Sequence, residues 1–117
     1  MNLTDLSPYI NKLDIIKDTA SQTIKDFDMF GVEIKFSGNA YEAYEELFEQ
    51  IEPRIQKMIG SNQSKFMGIL YRIDVNDEQI KKAVSQNTSE PFSAIITDLI
   101  LKRELQKVVI RNHYKSK

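Results

Sequence analysis

The chain has no cysteine and no tryptophan, and only one histidine, three prolines and four glycines among 117 residues. Without cysteine there is no disulfide, no thiolate nucleophile and no thiolate-ligated metal. That fits a reducing compartment, and the chain reads as cytoplasmic. The lone His113 lies in a charged stretch near the C-terminus, where it reads as a solvated side chain rather than the base of a nucleophilic dyad. Gly31, Gly38, Gly60 and Gly68 stand apart from one another, so neither GxGxxG nor GxxxxGK[ST] occurs and no phosphate-cradling loop is expected. Long apolar runs are missing too. Stretches such as 94–96 and 99–101 fall far short of the roughly 20 residues a membrane span needs. The opening MNLTDLSPYI has neither the basic start nor the apolar core of a signal peptide. No membrane partner is expected.

What is present is a strong division of charge. Residues 1–52 carry eleven carboxylates against four lysines, a net of −7, whereas residues 53–117 carry twelve basic groups against six carboxylates, a net of +6. The formal total of −1 hides this polarity. With 41% apolar and 28% charged residues, the composition is that of a single globular domain. A chain of this size buries about two-thirds of its unfolded surface, enough for one core.

Apolar spacing predicts an all-α fold, an antiparallel bundle of four to five helices with one short extended segment near residues 32–36. Leu6, Tyr9, Leu13, Ile16, Ala20, Thr23, Phe27 and Phe30 form one helical stripe over residues 6–30, opened by Ser7-Pro8 and stopped by Gly31. Residues 32–36 alternate with period two and read as a short strand or extended connector without an evident partner. Tyr41, Tyr44, Phe48, Ile51, Ile55 and Met58 predict a helix over 40–59, kinked at Pro53. A helix over 63–75 presents Phe66, Ile69, Leu70 and Ile73. Asn76 through Gln79 resembles a capping box opening a short helix over 77–86. The last helix spans 90–112 and leads into a basic tail, 113–117. Its apolar side turns: Phe92, Ile95, Ile96 and Leu99 share one face, while Leu101, Leu105 and Val108 lie nearly opposite. A helix apolar nearly all round is central to a bundle or shared with a second chain.

Few constellations carry chemistry. Glu42, Glu45, Glu46, Glu49 and Glu52 have the i, i+3, i+4 spacing that hard cations could use, but no Glu-x-x-His accompanies them. They read as a solvated or docking face, and no metal or other cofactor is expected. Arg72 and Asp74, with Arg103 and Glu104, form the best polar set. Arg103 falls where an apolar residue is expected, so a buried Arg103 needs Asp74 or Glu104 as partner. That set reads as an inter-helix ion pair, with an anion site as its functional version. From Lys102 onward the net charge is +5, and Lys102, Lys107, Arg111, His113 and Lys115 make a candidate basic surface for nucleic acid. Against that stand a pI of about 5.8 and an acidic half able to neutralise the basic one within the fold.

Leu70-Tyr71-Arg72 matches the three-residue motif of mitochondrial LYR proteins. There the motif lies near the start of the first helix, and here it is mid-chain, so it assigns nothing. Ile69-Leu70-Tyr71-Arg72-Ile73-Asp74 followed by Leu101-Lys102-Arg103-Glu104-Leu105-Gln106-Lys107-Val108 is similar to small uncharacterised helical proteins of bacteria. The resemblance covers the C-terminal half and implies no activity. Together these features predict a non-catalytic protein–protein interaction or regulatory module; the girth of the last helix, the charge split and the lone extended segment point to a homodimer. A nucleic-acid-binding regulator is the alternative, and a carboxylate metal protein the third reading.

Overall fold

Side-chain amide caps and left-handed residues decide where several of the elements begin and end. The computed structural model describes residues 13–115, with side chains through His113. The stretch 6–12 of the first predicted helix, and the end of the basic tail, lie outside the described residues. Five helices follow in order: α1 Leu13–Asp28, α2 Ala43–Ser61, α3 Gln63–Ile73, α4 Asp77–Gln86 and α5 Phe92–Lys115. A 3₁₀ turn, Ala40–Glu42, leads into α2. The fold is an all-α bundle, and no strand occurs among the described residues.

α1 closes at Gly31, whose φ of +73° is the left-handed conformation that a side chain resists. The Val32 N–H then reaches back to the Phe27 carbonyl at 3.1 Å, and both side chains enter the core. The buried side of α1 is Ile15, Thr19, Ala20, Thr23, Asp26 and Phe27. Leu13, predicted as core, is 40% exposed. The two threonine hydroxyls are satisfied within the helix, donating to the Ile15 and Thr19 carbonyls.

Residues 32–36 form no strand. Val32 and Ile34 are buried, so the period-two alternation is real. The backbone, however, finds its partner in a side chain. The Gln50 amide of α2 accepts from Lys35 N–H at 2.8 Å and donates to the Lys35 carbonyl at 2.7 Å. Glu46 accepts from the Ser37 N–H and hydroxyl. These two side chains stand in for a neighbouring strand.

Pro53 lies inside α2, and the helix continues across it. The buried side of α2 is Ala43, Leu47, Ile51, Ile55 and Met58. Tyr41 and Tyr44, predicted as core, are 86% and 49% exposed. Ala43 and Leu47 centre the stripe one step away from the tyrosines, and the larger amphipathic rings are left at its edge.

α4 opens with both halves of a capping box. The Asn76 side chain accepts from Gln79 N–H, and the Gln79 side chain accepts from Asn76 N–H, each at 2.9 Å. Yet α4 buries no residue fully; Ile80 and Ala83 are its half-buried contacts. α5 is the opposite case. It packs against all four other helices. Ile95, Ile96, Ile100, Leu101, Val108 and Val109 are buried on several of its sides, which accounts for its girth within one chain.

Candidate functional site

The polar chemistry of the molecule gathers along α5. At its first station the end of α3 is held. Asp74 takes φ 69° and ψ 50°, a left-handed cap that aspartate tolerates better than most residues. Val75 N–H then bonds the Leu70 carbonyl at 2.9 Å. The cap aims the Asp74 carboxylate at α5, where Arg103 Nη2 meets Oδ2 at 2.8 Å. Arg103 also donates from Nε to the Asp74 carbonyl at 3.3 Å and from Nη1 to Gln106 Oε1 at 2.6 Å. Lys107 Nζ donates to the Ile73 carbonyl at 3.5 Å. Two cations therefore sit at the negative end of the α3 dipole.

The other two members of the predicted set go elsewhere. Arg72 turns away from Asp74, and its Nε donates to Asp26 Oδ1 of α1 at 3.1 Å. Gln22 Nε2 donates to the same oxygen at 3.0 Å, and Gln22 Oε1 in turn accepts from Arg111 at 3.1 Å. Glu104 does not pair with Arg103. It is wholly buried, as is Asp26 at 1% exposure. Lys107 Nζ lies 3.2 Å from Glu104 Oε1 and 3.7 Å from Asp26 Oδ2. Both are ion-pair distances without a hydrogen bond: Asp26 Oδ2 and both Glu104 oxygens find no hydrogen-bond partner among the described residues. Burial first, then the neighbouring Asp26 carboxyl, push the Glu104 carboxyl up to about 8, against the opposing pull of Lys107. Asp26 was absent from the sequence-level set. Its signal is position: it continues the buried Thr19–Thr23 line of α1.

The candidate basic surface is largely engaged inside the molecule. Lys102 pairs with Asp98 at 2.7 Å, Arg103 with Asp74, Lys107 with the buried carboxyls and Arg111 with Gln22. His113 is exposed, and the side chain of Lys115 lies outside the described residues. The glutamates of the 3₁₀ turn and α2 do not converge either. Glu46 serves Ser37, while Glu42, Glu45 and Glu49 face solvent. Among the described residues no group of three or more metal-ligating side chains comes together, and no helix is long and apolar enough to cross a membrane.

Beside this network runs a groove of about 730 Å³ between α4 and α5. Val75, Ala83 and Leu99 give it an apolar floor. Gln79, Gln86, Asn87 and Gln106 supply amides, and Lys82, Lys102 and Arg103 supply cations, with Asp98 among the lining residues. Tyr44 donates its hydroxyl to Asp98 at 2.6 Å. Burial, then that bond, hold the Tyr44 phenol above its usual range. The volume falls within the roughly 300–1,000 Å³ of typical ligand pockets. The lining holds no nucleophile–base pair, but apolar, amide and cationic groups together suit a peptide backbone and its side chains.

Compared with protein-family models, curated proteins and solved structures, the chain finds no match.

Proposed function

We propose that this chain is a small non-catalytic protein–protein interaction module of a reducing, cytoplasmic environment, and that the α4–α5 groove is its contact surface. The observation that carries this reading is α4 itself. A capped ten-residue helix that buries none of its side chains adds little to the core, and its lasting effect on the molecule is to wall the groove. Val75 and Leu99 offer a partner apolar contact, rimmed by the polar side chains of Gln79, Gln86 and Asn87. The nucleic-acid reading has less support, because the α5 cations that would meet phosphates already face carboxylates. Packing of α5 against α1 to α4 accounts for its apolar girth, so that girth adds no separate support for self-association.

Ala83→Arg tests the groove. Arginine keeps the helix and fills the space above the floor. Tagged wild type and variant are used for pull-down from native lysate at low salt, with nuclease, alongside an untagged copy of the chain. Specific proteins recovered by wild type and lost with the variant support the groove reading. Identical recovery by both removes it. Recovery only of the untagged copy makes the module a homodimer, and recovery that vanishes with nuclease returns the basic helix to the front.

A further inference from the structure

Two buried carboxyls on different helices, both within ion-pair distance of the one Lys107 ammonium, are an unusual way to build a core. The other buried polar groups of that region are satisfied: Thr19, Thr23 and Thr97 each donate to a carbonyl of their own helix. Asp26 and Glu104 differ, because three of their four oxygens have no donor. A buried anionic oxygen without a donor is costly, and the simplest missing donor is a proton.

We propose that Asp26 and Glu104 form a proton-binding centre, in which a proton on Glu104 bridges to Asp26 and latches α1 onto α5. The charged groups facing it are few. Asp26 of α1 is held on Oδ1 by Arg72 of α3, and Lys107 approaches from α5 itself. α2 and α4 contribute no ion-pair partner to either carboxyl among the described residues. Glu52 of α2, with one buried oxygen of its own, is not among the charges acting on Glu104.

Counting charges alone would leave Glu104 ionised, since two cations face two anions. Desolvation decides otherwise. The carboxyls are 0 and 1% exposed, whereas the Arg72 and Lys107 side chains are 46% and 28% exposed and partly screened by water. Partly solvated cations do not offset the full burial of two neighbouring anions. The raised Glu104 carboxyl agrees.

The centre also has a route to solvent. Gln22 bonds Asp26 on one side and Arg111 on the other, and both Gln22 and Arg111 line a surface hollow of about 310 Å³ with Asp18 and Lys25. The Gln22 amide and the part-exposed Arg72 and Lys107 thus stand between the buried pair and water.

The consequence is a fold whose stability is linked to pH near neutrality. Glu104 holds its proton more tightly when folded, so the folded state binds more protons than the unfolded one. The contribution of Glu104 is complete below about 4.5, is lost as pH rises and is gone above about 8.

The test is a Glu104→Gln variant, whose amide keeps the shape and a donor without a titrating proton. Chemical unfolding of both proteins is followed from pH 5.5 to 9. Wild type should lose midpoint denaturant concentration steadily up to about pH 8, and the variant should be markedly flatter and stronger than wild type at pH 9. Equal slopes overturn the proposal. A second measurement on wild type alone covers a variant that fails to fold. Carboxyl-carbon NMR should show Glu104 titrating above pH 7, and a midpoint below 5 overturns the proposal outright.

Discussion

The short helix α4 should open and close on its own, well before the rest of the molecule. Its hold consists of the Asn76–Gln79 capping box and the half-buried Ile80 and Ala83. A helix under about 12 residues is marginal in isolation, so these contacts decide its population. Taking about 1 kcal/mol for the cap and about 1 kcal/mol for a half-buried isoleucine gives a local opening free energy of about 2 kcal/mol. That compares with 5–15 kcal/mol, the usual range for unfolding a whole domain. Asn76→Ala removes the cap and one half of the reciprocal bond. It should raise the open population of α4 about fivefold, the factor that about 1 kcal/mol represents. Amide hydrogen exchange read residue by residue is the assay. Amides of α4 beyond the first turn should exchange about five times faster in the variant, while those around Ile96 and Ile100 in α5 should be unchanged. The reasoning fails if α4 amides in wild type are protected as strongly as those of α5. It fails equally if Asn76→Ala accelerates exchange across both helices alike, because α4 would then be a full member of the cooperative core.

Other outcomes test the packing. At Asp74 the backbone should matter more than the ion pair, because the carboxylate side chain is 73% exposed. Asp74→Gly relieves the left-handed strain and should change stability by less than about 1 kcal/mol; Asp74→Ala keeps the strain and loses the pair, costing about 1–3 kcal/mol. Equal costs in thermal denaturation would show that Arg103 dominates instead. The two helical glycines should part company. A Cβ on Gly60 meets nothing within 4 Å, so Gly60→Ala should stabilise by about 0.5–1 kcal/mol. A Cβ on Gly68 would stand 2.8 Å from Phe30 Cε1, so Gly68→Ala should be neutral to destabilising in urea titration. A gain at position 68 matching that at 60 would mean the Phe30 ring yields freely.

Much of the helical order was legible because apolar spacing, the Asn76 cap and the Gly31 stop are local signals. The phase of each stripe was less so. On α2 the tyrosines outweighed Ala43 and Leu47 in a count of large apolar residues, yet a small alanine lets the backbone approach, and tyrosine tolerates an edge. The buried carboxyl centre was half visible. Glu104 stands one turn after Ile100 and one turn before Val108, both fully buried, which places a carboxylate on a core line. Its neighbour lies 78 positions earlier on α1, and no spacing rule relates residues that far apart. Arg72 shows the same limit. Proximity in sequence suggested Asp74, but the left-handed cap turns Asp74 toward α5 while Arg72 remains on the helical side facing α1.

The Gln50 clasp bears on how this protein behaves when crowded. Residues 32–36 are the one stretch whose alternation suits a β-strand, and an open strand is a template for recruiting further copies. Here the N–H and carbonyl of Lys35 and the N–H of Ser37 are already taken by Gln50 and Glu46 of α2. Another chain could add to that edge only after displacing two side chains of a folded helix. The Gln50 amide and the Glu46 carboxylate thus guard that edge against the addition of a further strand.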